Sequence, residues 1–201
     1  MYRNKDLGVL EMKRESTSSR GFTLIELLTT VTVIAVLVAV SAPSFMTFQR
    51  SSQLTSFTNS IFAAINAARG EAMKRGRYAL VVPADGSDWN SGWLVFVDVN
   101  RNQVYDADED VSIQVSEAPP SYIAVSGTAG SAAASGPYIM FDASGYAKDK
   151  TNAFSGSTLE IKRNDVTGSE VLTQTRRLKT DPTGRMRVCT PKSSSDALCS
   201  T

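Results

Sequence analysis

The sequence predicts an α+β protein, with one long helix, bent at a proline, followed by a predominantly antiparallel β domain. Three observations predict it. From Phe22 to Ala42 the chain carries no basic residue and one acid, Glu26, and as a helix rising about 1.5 Å per residue this stretch spans roughly 30 Å of hydrocarbon. Beyond it, Leu54, Phe57, Ile61, Ile65, Ala68 and Ala72 recur at three- and four-residue steps, the pattern of a helix with one apolar stripe. From Arg77 onward the pattern changes to short β-branched and aromatic runs bounded by Gly, Asn, Asp, Pro or Ser, which read as strands. The chain therefore divides into a leader at 1–21, a membrane or core span at 22–42, an amphipathic half-helix at 43–76 and a β domain at 77–201.

Composition narrows the function. The 201 residues carry 21 Lys and Arg against 20 Asp and Glu, so bulk charge names no partner. The charges are unevenly placed. Asp85 to Glu117 holds eight acids against Arg101 alone, while Val171 to Thr201 holds six bases against Asp181 and Asp196. One acidic and one basic patch follow. The absence of histidine excludes His-based catalysis and His-ligated metal. No nucleophile elbow or phosphate-cradling glycine loop is present, and the carboxylates look like turn residues, so the chain is not read as an enzyme.

The leader, Met1 to Gly21, is polar, with Arg3, Lys5, Lys13, Arg14 and Arg20 against Asp6, Glu11 and Glu15. No small-residue cleavage site follows the apolar run, as a secretory signal would have. Basic residues before Phe22 and none until Arg50 predict a cytoplasmic N-terminus and an exported remainder. Glu26 is the anomaly. A carboxylate one turn into an apolar span costs a few kcal/mol unless paired.

Gly21-Phe22-Thr23-Leu24-Ile25-Glu26 followed by an unbroken apolar run resembles the class III signal of type IV prepilins and type II secretion pseudopilins. The resemblance implies that a prepilin peptidase cuts after Gly21, that the new N-terminal Phe22 is N-methylated, and that Glu26 neutralises the amino terminus of a neighbouring subunit. It implies residence in the bacterial inner membrane, then assembly with other major and minor pilins in the periplasm and at the cell surface. The physical chemistry agrees, because removing the leader creates a cation four residues from Glu26 or on the next protomer.

Pro43 removes a helix hydrogen bond and clashes with the preceding turn. The stripe after it predicts that the helix continues to about Lys74 and stops near Gly76. Pilin-like subunits share such a helix, and Pro43 matches their kink. Predicted strands are Tyr78 to Pro83, Trp93 to Asp98, Val111 to Val115, Tyr138 to Asp142, Thr158 to Lys162 and Arg185 to Cys189. Between them Ser126 to Gly136, small and polar, reads as a flexible loop. Asp88-Trp89-Asn90-Ser91-Gly92-Trp93 with the strand after it, Phe141 to Gly145, and Gly184 to Cys189 resemble blocks of the FimT/GspH-like minor pilins and pseudopilins. Trp89 and Trp93 are read as core residues whose indole N–H groups need partners at a sheet edge.

Asp98, Asn100, Asn102, Asp106 and Glu109 fall at ligand positions of an EF-hand-like calcium loop, but Gln103 stands where its glycine belongs. A turn closed by Asx side chains is favoured over calcium, and no metal or other cofactor is assigned. Cys189 and Cys199 lie in the exported domain, where oxidation is expected. Their disulfide would stabilise by roughly 2 to 4 kcal/mol.

Arg176, Arg177 and Lys179 lead into Gly184-Arg185-Met186-Arg187. In a strand Arg185 and Arg187 share a face about 6.6 Å apart, and the arginine fork suits phosphate. Without a base-reading motif, double-stranded DNA would be held by its phosphate backbone. A Gly-Arg-x-Arg motif in FimT-type minor pilins is linked to DNA capture in natural transformation, and the resemblance implies that role for Arg185 and Arg187, with Arg176, Arg177 and Lys179 completing the basic patch. A solvated strand face paired with acids is the plainer alternative. A minor pseudopilin of a type II secretion system is the alternative function.

Overall fold

The computed structural model describes residues 21–134, 136–193, 196 and 199; the leader lies outside them. A single helix, α1, runs from Leu24 to Arg75. Thr23 begins it, its hydroxyl accepting from the Glu26 amide at 3.3 Å, and Glu26 sits in the first turn, where the helix dipole favours an acid. Lys74 and Arg75 occupy the last turn, and Gly76 at φ 65° turns the chain out of the helix. Pro43 lies within the helical run, so the helix continues past it as the stripe predicts. The chain divides into two compact units, Met1–Phe45 and Met46–Thr201.

In the first unit the apolar side chains from Leu24 to Val40 are all more than half exposed. The threonines beyond the first turn of α1 are satisfied locally. Thr29, Thr30 and Thr32 donate to the carbonyls of Glu26, Leu27 and Leu28 at 2.9, 2.9 and 2.7 Å, which leaves an apolar cylinder without demand for water. Length and composition suit it to cross a membrane.

The second unit joins the rest of α1 to two antiparallel sheets. Its strands are β1 (Tyr78–Pro83), β2 (Trp93–Asp98), β3 (Val111–Ser116), β4 (Ile123–Thr128), β5 (Ile139–Phe141), β6 (Ala147–Lys148), β7 (Ser157–Arg163), β8 (Thr175–Thr180) and β9 (Met186–Cys189), with a short α2 (Glu170–Thr173) before β8. One sheet has the order β3-β2-β1-β5-β6 and the other β4-β7-β8-β9.

Both sheets face α1. Leu54, Ile61, Ala64, Ile65, Ala68 and Ala72 are at most 1% exposed and share one core with Val81, Val95 and Phe141 of the first sheet and Val125, Leu159, Ile161 and Leu178 of the second. The alanines at 64, 68 and 72 let the helix approach closely, and Phe57 meets Trp93 edge to face at 5.3 Å. On the other face of the first sheet Leu80, Leu94, Phe96, Tyr138 and Met140 form a second cluster. Covering β2 on both faces explains its continuous apolar run where an alternating one would serve a half-exposed strand.

Three departures from the sequence reading have clear causes. Ser126 to Gly136 is not a flexible loop in its first part. β4 extends through Thr128 and a 3₁₀ turn spans Ala129–Ala132, with Ser131 buried and its carbonyl accepting the Trp89 indole N–H at 2.8 Å. The small residues there serve close packing, since a side chain on Gly127 would run into Ser131. β8 was hidden by its charges, and β6 is two residues long. Trp89 finds the expected partner; the Trp93 indole N–H has none among the described residues.

One charged cluster fixes the start of the packed half-helix. Arg163, 4% exposed, donates through Nε and Nη2 to Asp165 at 2.8 Å each and through Nη1 to the Thr47 carbonyl at 3.4 Å. Arg50 reaches Asp165 at 2.6 Å and stacks 5.0 Å over the Tyr122 ring. The bidentate Arg163 bond, helped by Arg50 against the cost of burial, holds the Asp165 carboxyl down to about 2. A depressed carboxyl stabilises fully above its unfolded value, about pH 4, and loses that contribution as pH falls through its folded value. Asp165→Asn is expected to cost about 3 kcal/mol near neutral pH by leaving Arg163 buried and unpaired. Denaturant unfolding of the two proteins should converge between about pH 4 and pH 2; an unchanged gap at pH 2 would rule this cluster out as its source.

Candidate functional site

Two regions hold the residues singled out by sequence. At the N-terminal end, Gly21 and Phe22 precede α1 and are exposed. Glu26 is exposed on the first turn and pairs with no cation among the described residues. Pro43 lies in the same helix.

The second region is the hairpin of β8 and β9. The ladder pairs Arg177 with Cys189, Leu178 with Val188, Lys179 with Arg187 and Thr180 with Met186. Strand parity then sorts the five cations. Arg176 shares its face with Leu178, the core side. Its Nη1 donates to the carbonyls of Thr173 and Thr175 at 2.8 and 3.0 Å, and burial pushes its pKa down. It is thereby separated from the others. Arg177 is on the outer face but engaged, with Nε on Glu160 at 2.8 Å and Nη1 on the Cys199 carbonyl at 2.7 Å. Lys179 lies across from Arg187. Arg185 and Arg187 are exposed, and neither is in an ion pair among the described residues. Arg177 is thus paired with an acid of its own sheet face, whereas Arg185 and Arg187 are solvent-exposed at the hairpin.

The hairpin turn is locked from both sides. Gly184 N–H donates to Asp181 O and Asp181 N–H to Arg185 O, both at 2.8 Å. Gly184 has φ 76°, and its Cα faces the backbone of the turn Asp142 to Gly145. There Asp142 Oδ1 accepts from the amides of Ser144 and Tyr146 at 2.9 and 3.0 Å. Arg69 of α1 donates from Nε to the Gly145 carbonyl at 2.9 Å. A β-carbon on Gly184 would strike that carbonyl and Arg69 Nε. The blocks around residues 141–145 and 184–189 therefore meet on one helix residue. Arg69 escaped sequence reading because it stands off the apolar stripe, where an arginine reads as a solvated side chain.

Cys189 and Cys199 form a disulfide, with Cα atoms 5.9 Å apart. It ties the tail to β9 and buries Cys199 at 2% exposure, which sets the Cys199 carbonyl against Arg177. The calcium-like loop is closed by its own side chains. Asp98 accepts from the amides of Asn102 and Gln103 at 3.2 and 3.0 Å, Asn102 from Val104 at 2.8 Å, and Glu109 from the Asn100 amide at 2.6 Å. Gln103 takes the left-handed φ of 63° itself. No group suited to a metal ion occurs among the described residues.

A family model for the type II transport protein GspH matches residues 58–184, and one for the prokaryotic N-terminal methylation motif matches residues 16–42. No curated protein sequence matches the chain. Among solved structures the fold is similar to the type IV minor pilin FimU of Pseudomonas aeruginosa. In one crystal form the TM-score is 0.54 at 16% identity, covering 73% of this chain and 98% of that one. In a second form it is 0.51 at 16% identity, covering 69% and 98%. The minor pseudopilin EpsH from the type 2 secretion system of Vibrio cholerae gives 0.46 at 14% identity, covering 70% and 99%.

Gly184→Ala is expected to cost about 1 to 3 kcal/mol, from the left-handed φ together with the clash against the Gly145 turn. Thr183→Ala, on the exposed neighbour, should stay within about 0.5 kcal/mol. Equal denaturation midpoints for both variants would show that the hairpin does not depend on this contact.

Proposed function

Because this chain belongs to the GspH family of minor pilins and pseudopilins, we propose that it enters a type IV pilus as a minor subunit and presents Arg185 and Arg187 to DNA during uptake. The observation that carries the assembly reading is a methylation motif at residues 16–42 on the same helix whose second half closes the β domain. Apolar side chains exposed from Leu24 to Val40 need hydrocarbon first and other helices afterwards.

A prepilin peptidase cuts after Gly21 and Phe22 becomes the methylated N-terminus. The subunit waits as a single-pass protein of the bacterial inner membrane, its leader cytoplasmic and its β domain periplasmic. Glu26 then pairs with the amino terminus of a neighbouring pilin, which sets the register of the helix in the fibre. Pro43 loosens the helix where the span ends. The partners are the peptidase and other major and minor pilins.

The DNA reading rests on the exposure of Arg185 and Arg187 at the hairpin without an ion pair among the described residues. Guanidinium groups so placed bind phosphates of the duplex independently of sequence and weaken with salt. Arg177 and Arg176 are withdrawn from that role by Glu160 and by burial. The family's own description, a type II transport protein, favours the second reading, a minor pseudopilin of a secretion system.

Two measurements test these readings. Glu26→Ala should leave leader cleavage intact but remove the subunit from sheared pili by immunoblot; wild-type incorporation would overturn the register role. In gel shifts with the full chain in detergent, Arg185→Ala/Arg187→Ala should weaken duplex binding and lower the log–log salt slope by about 2. Equal binding by both proteins would remove DNA from the function. Loss of secretion with intact transformation in a deletion strain would favour the pseudopilin.

A further inference from the structure

Arg101 is the one cation in the acidic stretch from Asp85 to Glu117. It lies between β2 and β3 at φ 65°, held there by the Asp98 carboxylate on the two amides that follow it. With Arg77 at the exit of α1 and Lys148 of β6 it lines a cleft of about 210 Å³, closed on its other walls by Asp142, Ser144 and Asn152. Lys148 is already balanced. Its Nζ stands 3.8 Å from Asp142 Oδ2, 3.3 Å from the Asn152 carbonyl and 3.5 Å over the Phe154 ring.

Arg77 and Arg101 are a surplus. Both are exposed, and neither has an acidic partner among the described residues. Arg77 donates to the Val99 carbonyl at 3.1 Å, which anchors its guanidinium at the wall. The Tyr78 hydroxyl donates to Asn152 Oδ1 at 3.1 Å, leaving the Asn152 amide N–H groups as donors, and Ser144 adds a hydroxyl. Donors on several sides with two uncompensated positive charges suit a multiply charged tetrahedral oxyanion better than a planar carboxylate.

The cleft adjoins the hairpin. Asp142 and Ser144 belong to the turn that ends at Gly145, and Gly145 is the residue against which Gly184 packs. Arg185 is thus next in sequence to a residue packed on the turn that lines the cleft through Asp142 and Ser144. We propose that Arg77 and Arg101 form a second phosphate-binding subsite, which with Arg185 and Arg187 seats two separated phosphates of one DNA duplex. The inference rests on the DNA reading for the source of the phosphate, and the cleft for its chemistry.

The test uses the full chain in detergent micelles and the variant Arg77→Gln/Arg101→Asn. Gln retains a donor toward Val99, and Asn tolerates the left-handed φ. Unchanged circular dichroism and thermal midpoint establish that the variant is folded, and Arg101→Asn alone serves if the double variant is not. Fluorescence anisotropy is read with a labelled duplex across a salt series, and calorimetry with tripolyphosphate. The variant is expected to lose about tenfold or more in duplex affinity and to lower the salt slope by about 2, beyond the loss from Arg185→Ala/Arg187→Ala. Tripolyphosphate heat should fall with it. A duplex bound with the same slope by both proteins overturns the subsite while the hairpin reading stands. No duplex binding by the wild type, with tripolyphosphate still lost in the variant, overturns the DNA reading and leaves a cleft for another phosphate source. Tripolyphosphate bound alike by both proteins overturns the cleft. Loss of fibre incorporation alone, with both ligands unaffected, would assign the arginines to an acid of a neighbouring subunit and overturn it equally.

Discussion

The structure depends on the seam between α1 and the two sheets. Neither sheet could bury its apolar face alone, because they are joined by irregular segments and lean on the helix in common. The seam is made of small residues as much as large ones. Ala64, Ala68 and Ala72 bring the helix backbone close, while Leu54, Ile61 and Ile65 fill the gap between sheets. Burial of this kind contributes roughly 25 cal/mol per Å² of apolar surface, and here it is concentrated on one face of one element. Whatever pulls on the helix acts on the β domain through this face, reinforced at its start by the Arg163–Asp165–Arg50 cluster.

The same helix meets a different solvent over its first part. There, the large apolar side chains lie all round and are exposed, and the helical backbone meets its own hydrogen-bonding needs away from its first turn and Pro43. Threonines that fold their hydroxyls back onto the preceding turn keep that surface free of unmet polar groups. Glu26 is the exception, an exposed carboxylate that pairs with no cation among the described residues. One helix thus carries an anchored half and an unpartnered half, and the unpartnered half is the one with a specific electrostatic demand.

How far this was legible in the residues follows from where the information is local. Periodicity gave the α1 stripe almost position by position, since a helix face is written at fixed spacing. β1 and β2 were read at their observed bounds because they are β-branched, aromatic and sharply bounded. β8 was missed because Thr-Arg-Arg-Leu-Lys-Thr offers one buried apolar residue and its strand identity comes from pairing with β7 and β9. Ser126 to Gly136 looked flexible because small residues signal either freedom or tight contact, and only the position of Ser131 under Trp89 decides between them. The basic patch was legible as composition but not as a surface. Parity sends Arg176 inward, Glu160 and the disulfide-bound Cys199 claim Arg177, and the meeting of Gly145, Gly184 and Arg69 spans three distant segments.

Charge in this domain is divided by function in a way that local bonding explains. Asp85, Asp98, Asp106 and Asp110 accept from backbone amides, and the bonds from Asp88 and Ser87 hold the Asp85 carboxyl down to about 2. Acids so occupied are held within their own turns. On the hairpin, Arg177 faces Glu160 of β7 and is paired with it, whereas Arg185 and Arg187 are exposed and in no ion pair among the described residues. The disulfide and the Gly184–Gly145 contact hold this hairpin and leave both guanidinium groups at the surface.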